Sequence, residues 1–189
     1  MGNIHENRMN TIKKYTMLDI GSGRHRRPNT LCLDKSPLVN PDVLHDLDIY
    51  PYPFEDNTFE YIYCHHVIEH IADIVRFMEE VHRILKPGGN LMIYTPHFSS
   101  SNSWTDPTHN HHLGYFSFDY FSDNGDKEND LYSSARFHIT LRRFEFQSRL
   151  RFLGIAWIAN RFPRAYEKYY CWRFPAKNIH FEMTAIKNT

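Results

Sequence analysis

The segment Met17-Leu18-Asp19-Ile20-Gly21-Ser22-Gly23 decides the fold that the sequence predicts. Its first four residues have the apolar character of a short buried strand, and the glycines that follow turn the chain sharply. Because glycine has no side chain, the backbone N–H groups of this turn can approach a ligand closely. The segment therefore predicts a strand followed by a cofactor-binding loop.

Three further strand candidates follow in the order that an open α/β sheet requires, at residues 30–33, 42–45 and 59–63. The first of them ends on Asp34, where a carboxylate at the carboxyl edge of a strand can accept both hydroxyls of a ribose. The second leads into Asp46-Leu47-Asp48, and the third leads into Cys64-His65-His66. The pattern predicts a parallel sheet with polar groups along one edge.

These landmarks resemble the class I S-adenosylmethionine-dependent methyltransferases in their small single-domain form. The resemblance covers roughly residues 16–97 and is carried by four motifs: LDIGSG at 18–23, LDKSP at 33–37, PYPFEDNTFEYIYCHHVIEHI at 51–71 and EEVHRILKPGGNLMIYTPH at 79–97. It implies a Rossmann-like α/β fold with a mostly parallel central sheet and an antiparallel strand at the C-terminal edge. It also implies S-adenosylmethionine as cofactor and S-adenosylhomocysteine as product.

The resemblance also implies which residues bind the cofactor. The glycine loop would hold the methionine moiety, Asp34 would bind the ribose, and Asp46 and Leu47 would border the adenine. Cys64 and His65 would lie beneath the sulfonium. The full implied set is Asp19, Gly21, Ser22, Gly23, Asp34, Lys35, Asp46, Leu47, Cys64 and His65.

One feature departs from the family pattern. Only nine residues separate Ile20 from Thr30, whereas a parallel crossover usually takes about a dozen residues or more. We therefore expect a shortened first crossover with a turn in place of the helix. Its residues 24–27, Arg-His-Arg-Arg, either contact the cofactor carboxylate or are solvated loop charges.

The remaining chain is divided by its patterning, within one predicted domain over residues 1–189. An arm (1–14) precedes the cofactor-binding half (15–96), which contains a helix at 71–85, ended by Pro87-Gly88-Gly89, and a strand at 90–95. A histidine-rich lid for substrate (97–135) follows. The last part (136–189) is rich in aromatic and basic residues; strands at 135–146 and 179–186 pair antiparallel, with a short helix within 147–161.

Histidines supply the candidate catalytic groups. His109 is the first candidate base, with Asp106 three residues away to orient its ring, and His70 either anchors a helix start or faces substrate. A lid metal held by Asp106 with His109, His111 or His112 is an alternative. His66-Val67-Ile68-Glu69-His70 also matches a zinc-protease signature, but that reading leaves the glycine loop unexplained. We assign no metal site from the sequence.

Composition limits the function classes further. The formal net charge is zero, with 22 basic and 22 acidic residues, so the whole molecule lacks the basic footprint of a nucleic-acid-binding protein. Three scattered cysteines favour reduced thiols and a cytoplasmic location. No apolar run approaches the length of a membrane span.

The sequence thus predicts methyl transfer to an oxygen or nitrogen atom of a small-molecule acceptor. The arginines and aromatic residues between 136 and 173 leave a second interpretation open, in which the acceptor is an RNA, lipid-linked, membrane-associated or other phosphate-bearing molecule. A third is a non-catalytic binding module of the same fold. The acceptor and the oligomeric state are not predicted.

Overall fold

A single seven-stranded sheet forms the centre of the computed structural model, which describes residues 15–24, 26–123, 133–148 and 154–187. The strand order is β3-β2-β1-β4-β5-β7-β6. The strands are β1 (Met17–Ile20), β2 (Leu31–Asp34), β3 (Val43–Leu44), β4 (Phe59–His65), β5 (Leu85–Pro96), β6 (Arg136–Glu145) and β7 (Asn178–Ile186). The predicted arm and His25 lie outside the described residues.

The direction of the strands confirms the predicted fold class. Strands β1 to β5 pair in parallel, whereas β7 runs antiparallel to both β5 and β6. The two C-terminal strands pair as predicted, and β6 rather than β7 forms the edge. Apolar side chains of β1 and β4, among them Leu18, Ile20 and Ile62, are fully buried and form the centre of the core.

The first crossover is as short as the sequence predicts. Of its residues, 21–24 and 26–30 are described and form turns and bends rather than a helix. The loop folds back on β2, because the backbone N–H groups of Gly21 and Ser22 both donate to the carbonyl oxygen of Leu33, at 2.8 and 3.2 Å. The glycine loop is therefore held by hydrogen bonds to β2, and the described part of the crossover contains no helix to support it.

The predicted central helix forms as α1 (Ile74–Ile84), somewhat shorter than expected. Asp73 caps it by accepting the N–H of Arg76 at 3.1 Å, and the apolar face of α1 is buried. The predicted stop at Pro87-Gly88-Gly89 is wrong in detail. The helix ends at Ile84, and these three residues lie within β5, where the pairing with β4 shifts register between Phe59 and Tyr61.

The C-terminal half supplies short helices around the sheet. They are α2 (Ser101–Thr105), a 3-10 turn (Ser117–Phe121), α3 (Ile155–Arg161), α4 (Pro163–Ala165) and a π-helical turn (Tyr166–Tyr170). The helix expected within 147–161 is seen as α3, while residues 149–153, and 124–132 of the predicted lid, lie outside the described part. In the ranges that the structure describes, no helix has the length and apolar character needed to span a bilayer.

Candidate functional site

A cavity of about 600 Å³ opens at the carboxyl ends of β1, β2 and β4, which is where open α/β sheets bind their ligands. The volume lies within the roughly 300–1,000 Å³ typical of small-molecule sites. Residues from both halves of the chain line it: Gly21, Asp34, Lys35, Asp46, Leu47, Asp48, His66, Val67, His70, Ile71, Thr108 and Asn110. One wall thus comes from the predicted cofactor segments and the other from histidine-containing segments.

Gly21 forms the tightest point of the cofactor wall. Its φ of +62° is in the left-handed region, and a Cβ placed there would lie 2.4 Å from Cγ2 of Val67. Both the conformation and the missing space require glycine at this position. The backbone N–H groups of Gly21 and Ser22 donate to Leu33 and that of Gly23 donates to Asp34, so these three donors are used within the protein and the predicted contact of the loop with a cofactor stays a prediction.

Asp34 is held in place by backbone groups. Its Oδ2 accepts the N–H of Gly23 at 3.0 Å, and its Oδ1 accepts the N–H of Ser36 at 2.8 Å. An ionised carboxylate has about four acceptor positions, so two remain for a ligand. Two acceptor positions would suffice for the paired hydroxyls of a ribose; this role of Asp34 stays a prediction.

The loop after β3 closes the same wall. Asp46 and Asp48 line the cavity, and Asp48 Oδ1 accepts the N–H of Ala72 at 2.9 Å, which ties this loop to the segment before α1. Leu47 is nearly buried, and its carbonyl oxygen accepts the hydroxyl of Tyr52 at 2.9 Å. Leu47 thus offers an apolar surface between two carboxylates, as a base-binding pocket needs.

Five predicted cofactor residues are not on the cavity wall: Asp19, Ser22, Gly23, Cys64 and His65. The Cys64 side chain is fully buried in the core, where burial raises the pKa of its thiol. The exposed His65 ring stacks on Tyr94 at 4.7 Å. Of the predicted set, the wall therefore contains Gly21, Asp34, Lys35, Asp46 and Leu47.

Asp19 acts from behind the glycine loop. Only 6% of its side chain is exposed, and this burial raises its pKa to about 6, although Arg27 opposes the shift. Arg27 lies 3.5 Å from Asp19 and 4.5 Å from the centre of the Tyr63 ring. Arg26 pairs with Asp42 at 2.6 Å. Neither arginine lines the cavity, so the expected contact with a cofactor carboxylate has no support here.

His66 and Glu69 form a pair that the sequence analysis did not single out. His66 lines the cavity, and its Nδ1 lies 3.0 Å from Oε1 of the buried Glu69. Burial raises the pKa of Glu69, but hydrogen bonds from His66 and Thr95 outweigh it, and the pKa lies below its usual value. His66 has a φ of +54°, a conformation uncommon outside glycine and found often at functional sites.

The signal for this pair was present in the zinc-protease match, whose first histidine and glutamate are these two residues. Their spacing of three places them together only because residues 68–70 form a 3-10 turn. That local geometry is not readable from the spacing alone.

His70 lines the cavity and is oriented by Thr108. Its Nδ1 lies 2.9 Å from the Thr108 hydroxyl, which in turn donates to Asp106 Oδ1 at 2.7 Å. The hydrogen bonds that Thr108 donates, from its hydroxyl and its backbone N–H, lower the pKa of Asp106. Because the hydroxyl hydrogen goes to this carboxylate, the same hydroxyl accepts from Nδ1–H of His70.

His109 stands behind His70, off the cavity wall. The two rings meet edge to face at 4.7 Å, and Nδ1 of His109 lies 3.0 Å from the carbonyl oxygen of Ser103. Asp106 is 3.9 Å from Nε2 of His109, which is beyond hydrogen-bond length. The expected orientation of His109 by Asp106 is therefore not made directly, since Asp106 bonds to Thr108 instead.

The metal set considered for the lid is not assembled. His112 stacks on Trp104 at 3.5 Å, and its Nδ1 bonds to the Ser103 hydroxyl at 2.9 Å. Among the described residues, the one group of three possible metal ligands combines Glu69, His70 and His109. All three cysteines are described, and each is buried and forms no disulfide.

The fold and the cavity together define a class: an α/β domain of the nucleotide-binding type, with a glycine loop after the first strand and a carboxylate at the end of the second. The comparisons with known proteins agree. A family model described as "Methyltransferase domain" matches residues 5–93. The match covers slightly less than half of the chain, and over these residues the chain is similar to that family.

Individual relatives match over limited stretches. An uncharacterised methyltransferase of Schizosaccharomyces pombe is 46% identical over 73 residues, which is 39% of this chain and 25% of the relative. The chain spans between 10% and 26% of the length of the curated relatives that it matches.

Solved structures match over nearly the whole chain at low identity. A SAM-dependent methyltransferase from Archaeoglobus fulgidus gives a TM-score of 0.60 at 15% identity, covering 97% of this chain and 93% of the other. The [4+2]-cyclase SpnF gives 0.57 at 14% identity, covering 97% and 81%. At these identities the likeness concerns the fold, and the cyclase illustrates that one fold carries different reactions.

Proposed function

We propose that this chain transfers the methyl group of S-adenosylmethionine to an oxygen or nitrogen atom of a small-molecule acceptor. The observation that carries the proposal is the two-sided cavity. Gly21, Asp34 and Leu47 offer one wall for a nucleoside, while His66 and His70 face it from the other. The curated relatives with a named activity are all methyltransferases, which supports the reaction type but not the acceptor.

Methyl transfer of this kind needs no covalent bond between the protein and the substrate. When bound, the cofactor supplies a methyl carbon on a sulfonium; the acceptor's lone pair forms the new bond as the carbon–sulfur bond breaks and its electron pair stays on sulfur. The chain must therefore align the acceptor with that carbon and remove the acceptor's proton. His66 and His70 stand where an acceptor would enter.

Two histidines are candidates for the base. His109 with Asp106 remains a prediction, although its carboxylate partner is 3.9 Å away and its ring is off the wall. His66 is on the wall and is oriented by Glu69 at 3.0 Å, which is the base-orienter geometry of nucleophile activation. We propose His66 as the base, its Nε2 taking the acceptor proton while Nδ1–H donates to Glu69.

Calorimetric titration with S-adenosylmethionine and S-adenosylhomocysteine tests the cofactor assignment. Asp34→Ala should weaken binding by roughly hundredfold, because two charge-assisted hydrogen bonds are lost. Asp56→Ala is the matched control, since that carboxylate is exposed and pairs with Arg83. A folded wild-type protein that binds neither compound would leave only the non-catalytic binding module.

The base assignment needs a methyl-transfer assay over a panel of hydroxyl and amine acceptors. We expect His66→Ala to lower kcat by roughly 10² to 10⁴ with little change in cofactor affinity. A larger loss in His109→Ala, with His66→Ala nearly normal, would restore the pair His109 and Asp106.

One observation favours a second candidate, in which the acceptor is presented at an anionic membrane surface. Trp157 and Trp172 are 69% and 68% exposed, and basic residues 161, 164, 168 and 173 lie in the same segment. Exposed tryptophan beside cationic side chains is typical of interfacial binding.

Co-sedimentation of the protein with phosphatidylglycerol vesicles, but not with phosphatidylcholine vesicles, would support membrane presentation of the acceptor. Failure to sediment with either kind of vesicle would reject it. The cytoplasmic location stays a prediction.

A further inference from the structure

We propose that Glu69, His70 and His109 bind a divalent transition-metal ion at the acceptor side of the cavity. The role of this cation rests on the proposed function. The existence of the site does not, because it is defined by the three side chains alone. One possible ligand atom from each residue lies within 4.8 Å of the others. The three come from two separate motifs that the fold brings together.

The fold supplies what each motif lacks alone. The zinc-protease-like motif at 66–70 offers a glutamate and a histidine but needs a third ligand from elsewhere. The lid motif at 106–112 offers a histidine whose carboxylate neighbour is used by Thr108. Backbone hydrogen bonds from Asn110 and His111 to the carbonyl oxygen of Glu69, at 2.8 and 3.2 Å, lock the two motifs together.

Hydrogen bonds leave a lone pair on Nε2 of both histidines. In His109 the Nδ1 faces a backbone carbonyl, which can only accept, so Nδ1 carries the hydrogen. In His70 the Nδ1 donates to the Thr108 hydroxyl, as shown above. Metal-binding histidines typically donate their other ring N–H to a carbonyl or similar acceptor in this way.

Hydrogen bonds also orient the carboxylate of Glu69, the third proposed ligand. Glu69 is 1% exposed, and its two oxygens lie 3.0 Å from His66 Nδ1 and 3.0 Å from the Thr95 hydroxyl. Because a buried carboxylate is costly without an opposite charge, a bound cation would stabilise it. Two imidazoles and one carboxylate are a ligand set for Zn²⁺, Mn²⁺ or Fe²⁺ rather than for Mg²⁺.

His70 is the ligand that lines the cavity, so the free coordination positions would point toward the acceptor. A cation there would bind an acceptor oxygen and lower the pKa of its hydroxyl. His66 remains available as base because its ring is outside this ligand set. This favours acceptors with a hydroxyl or a pair of oxygens over simple amines.

Titration of metal-stripped, full-length protein with Zn²⁺, Mn²⁺ and Mg²⁺ tests the site without any methyl-transfer assay. We expect one Zn²⁺ per chain, with Mg²⁺ bound much more weakly. Glu69→Gln and His109→Ala should each weaken Zn²⁺ binding by roughly hundredfold, and Thr108→Val by roughly tenfold through His70. His138→Ala is the control, since this histidine is exposed on β6.

Two results would overturn the proposal: no stoichiometric Zn²⁺ binding by folded wild-type protein, or binding that His109→Ala leaves unchanged. His109→Ala keeps the test valid if Glu69→Gln fails to fold. Titrating the same metal-free samples with S-adenosylmethionine separates the two hypotheses. Cofactor binding without a zinc site would refute this inference and leave the proposed function intact.

Discussion

The two walls of the cavity are built by different means. On the cofactor wall, Asp34 is fixed by backbone N–H groups and Gly21 by its own φ and the nearby Val67. On the acceptor wall, His70 is fixed by Thr108, and His109 behind it is fixed by Ser103; both partners are far from β1 in the sequence. The first wall follows from strand ends, whereas the second depends on how a long segment folds over them.

The largest expected effect breaks the cofactor wall. Gly21→Ala places a methyl group against Val67 and forces alanine into a left-handed conformation, and both cost free energy. We expect about 4 kcal/mol lower free energy of unfolding in urea and loss of cofactor binding. Gly88→Ala has a similar φ of +73° but open space around it; if it destabilises equally, contact with Val67 is unimportant.

A second change breaks the acceptor wall alone. In Glu69→Gln the amide oxygen can still accept from His66, but the NH2 group faces the Thr95 hydroxyl, which must then accept instead of donate, and the charge-assisted character of the bond from His66 is lost. We expect a loss of about 1.5 kcal/mol in metal-free unfolding free energy, while the affinity for S-adenosylmethionine changes less than about twofold. A large loss of cofactor affinity by calorimetry would mean that the two walls are not independent.

Asp19, behind the glycine loop, should make the stability of the cofactor side depend on pH. Its carboxyl ionises near 3.8 in the unfolded chain and near 6 in the folded one, so the folded state holds the extra proton and stability falls as pH rises through this window. Asp19→Asn should therefore raise the unfolding free energy at pH 7 by about 2 kcal/mol and flatten its pH dependence between 4 and 6. Urea unfolding at several pH values checks this; an unchanged slope would contradict it.

The smallest expected effect concerns the crossover. Arg26→Ala removes an ion pair whose arginine is 46% exposed, so we expect a loss under about 1 kcal/mol and unchanged cofactor affinity. A tenfold loss of affinity for S-adenosylmethionine in calorimetry would instead mean that Arg26 contacts the cofactor.

What the sequence could predict follows the same division. The sequence places Gly21 and Asp34 at one edge of the sheet, where the structure has them lining the cavity, because a strand's position in a parallel sheet fixes where its last residue lies. Their role in cofactor binding stays a prediction. Cys64 also lies near the end of a strand, but its side chain faces the core. Alternation of side chains along β4 determines which face of the sheet a residue points to, and the motif does not contain that information. His66 was missed because its role depends on a 3-10 turn and a left-handed residue. The convergence of His70 with His109 depends on contacts across nearly forty residues, which no spacing encodes.

The contact between Gly21 and Val67 has a consequence for inhibitor design. Val67 follows His66 directly, so the glycine loop packs against the segment that carries the proposed base. A compound that pushes the glycine loop outward even slightly must displace Val67, and His66 with it. We therefore expect a ligand that displaces the glycine loop to shift His66 as well, without contacting that histidine.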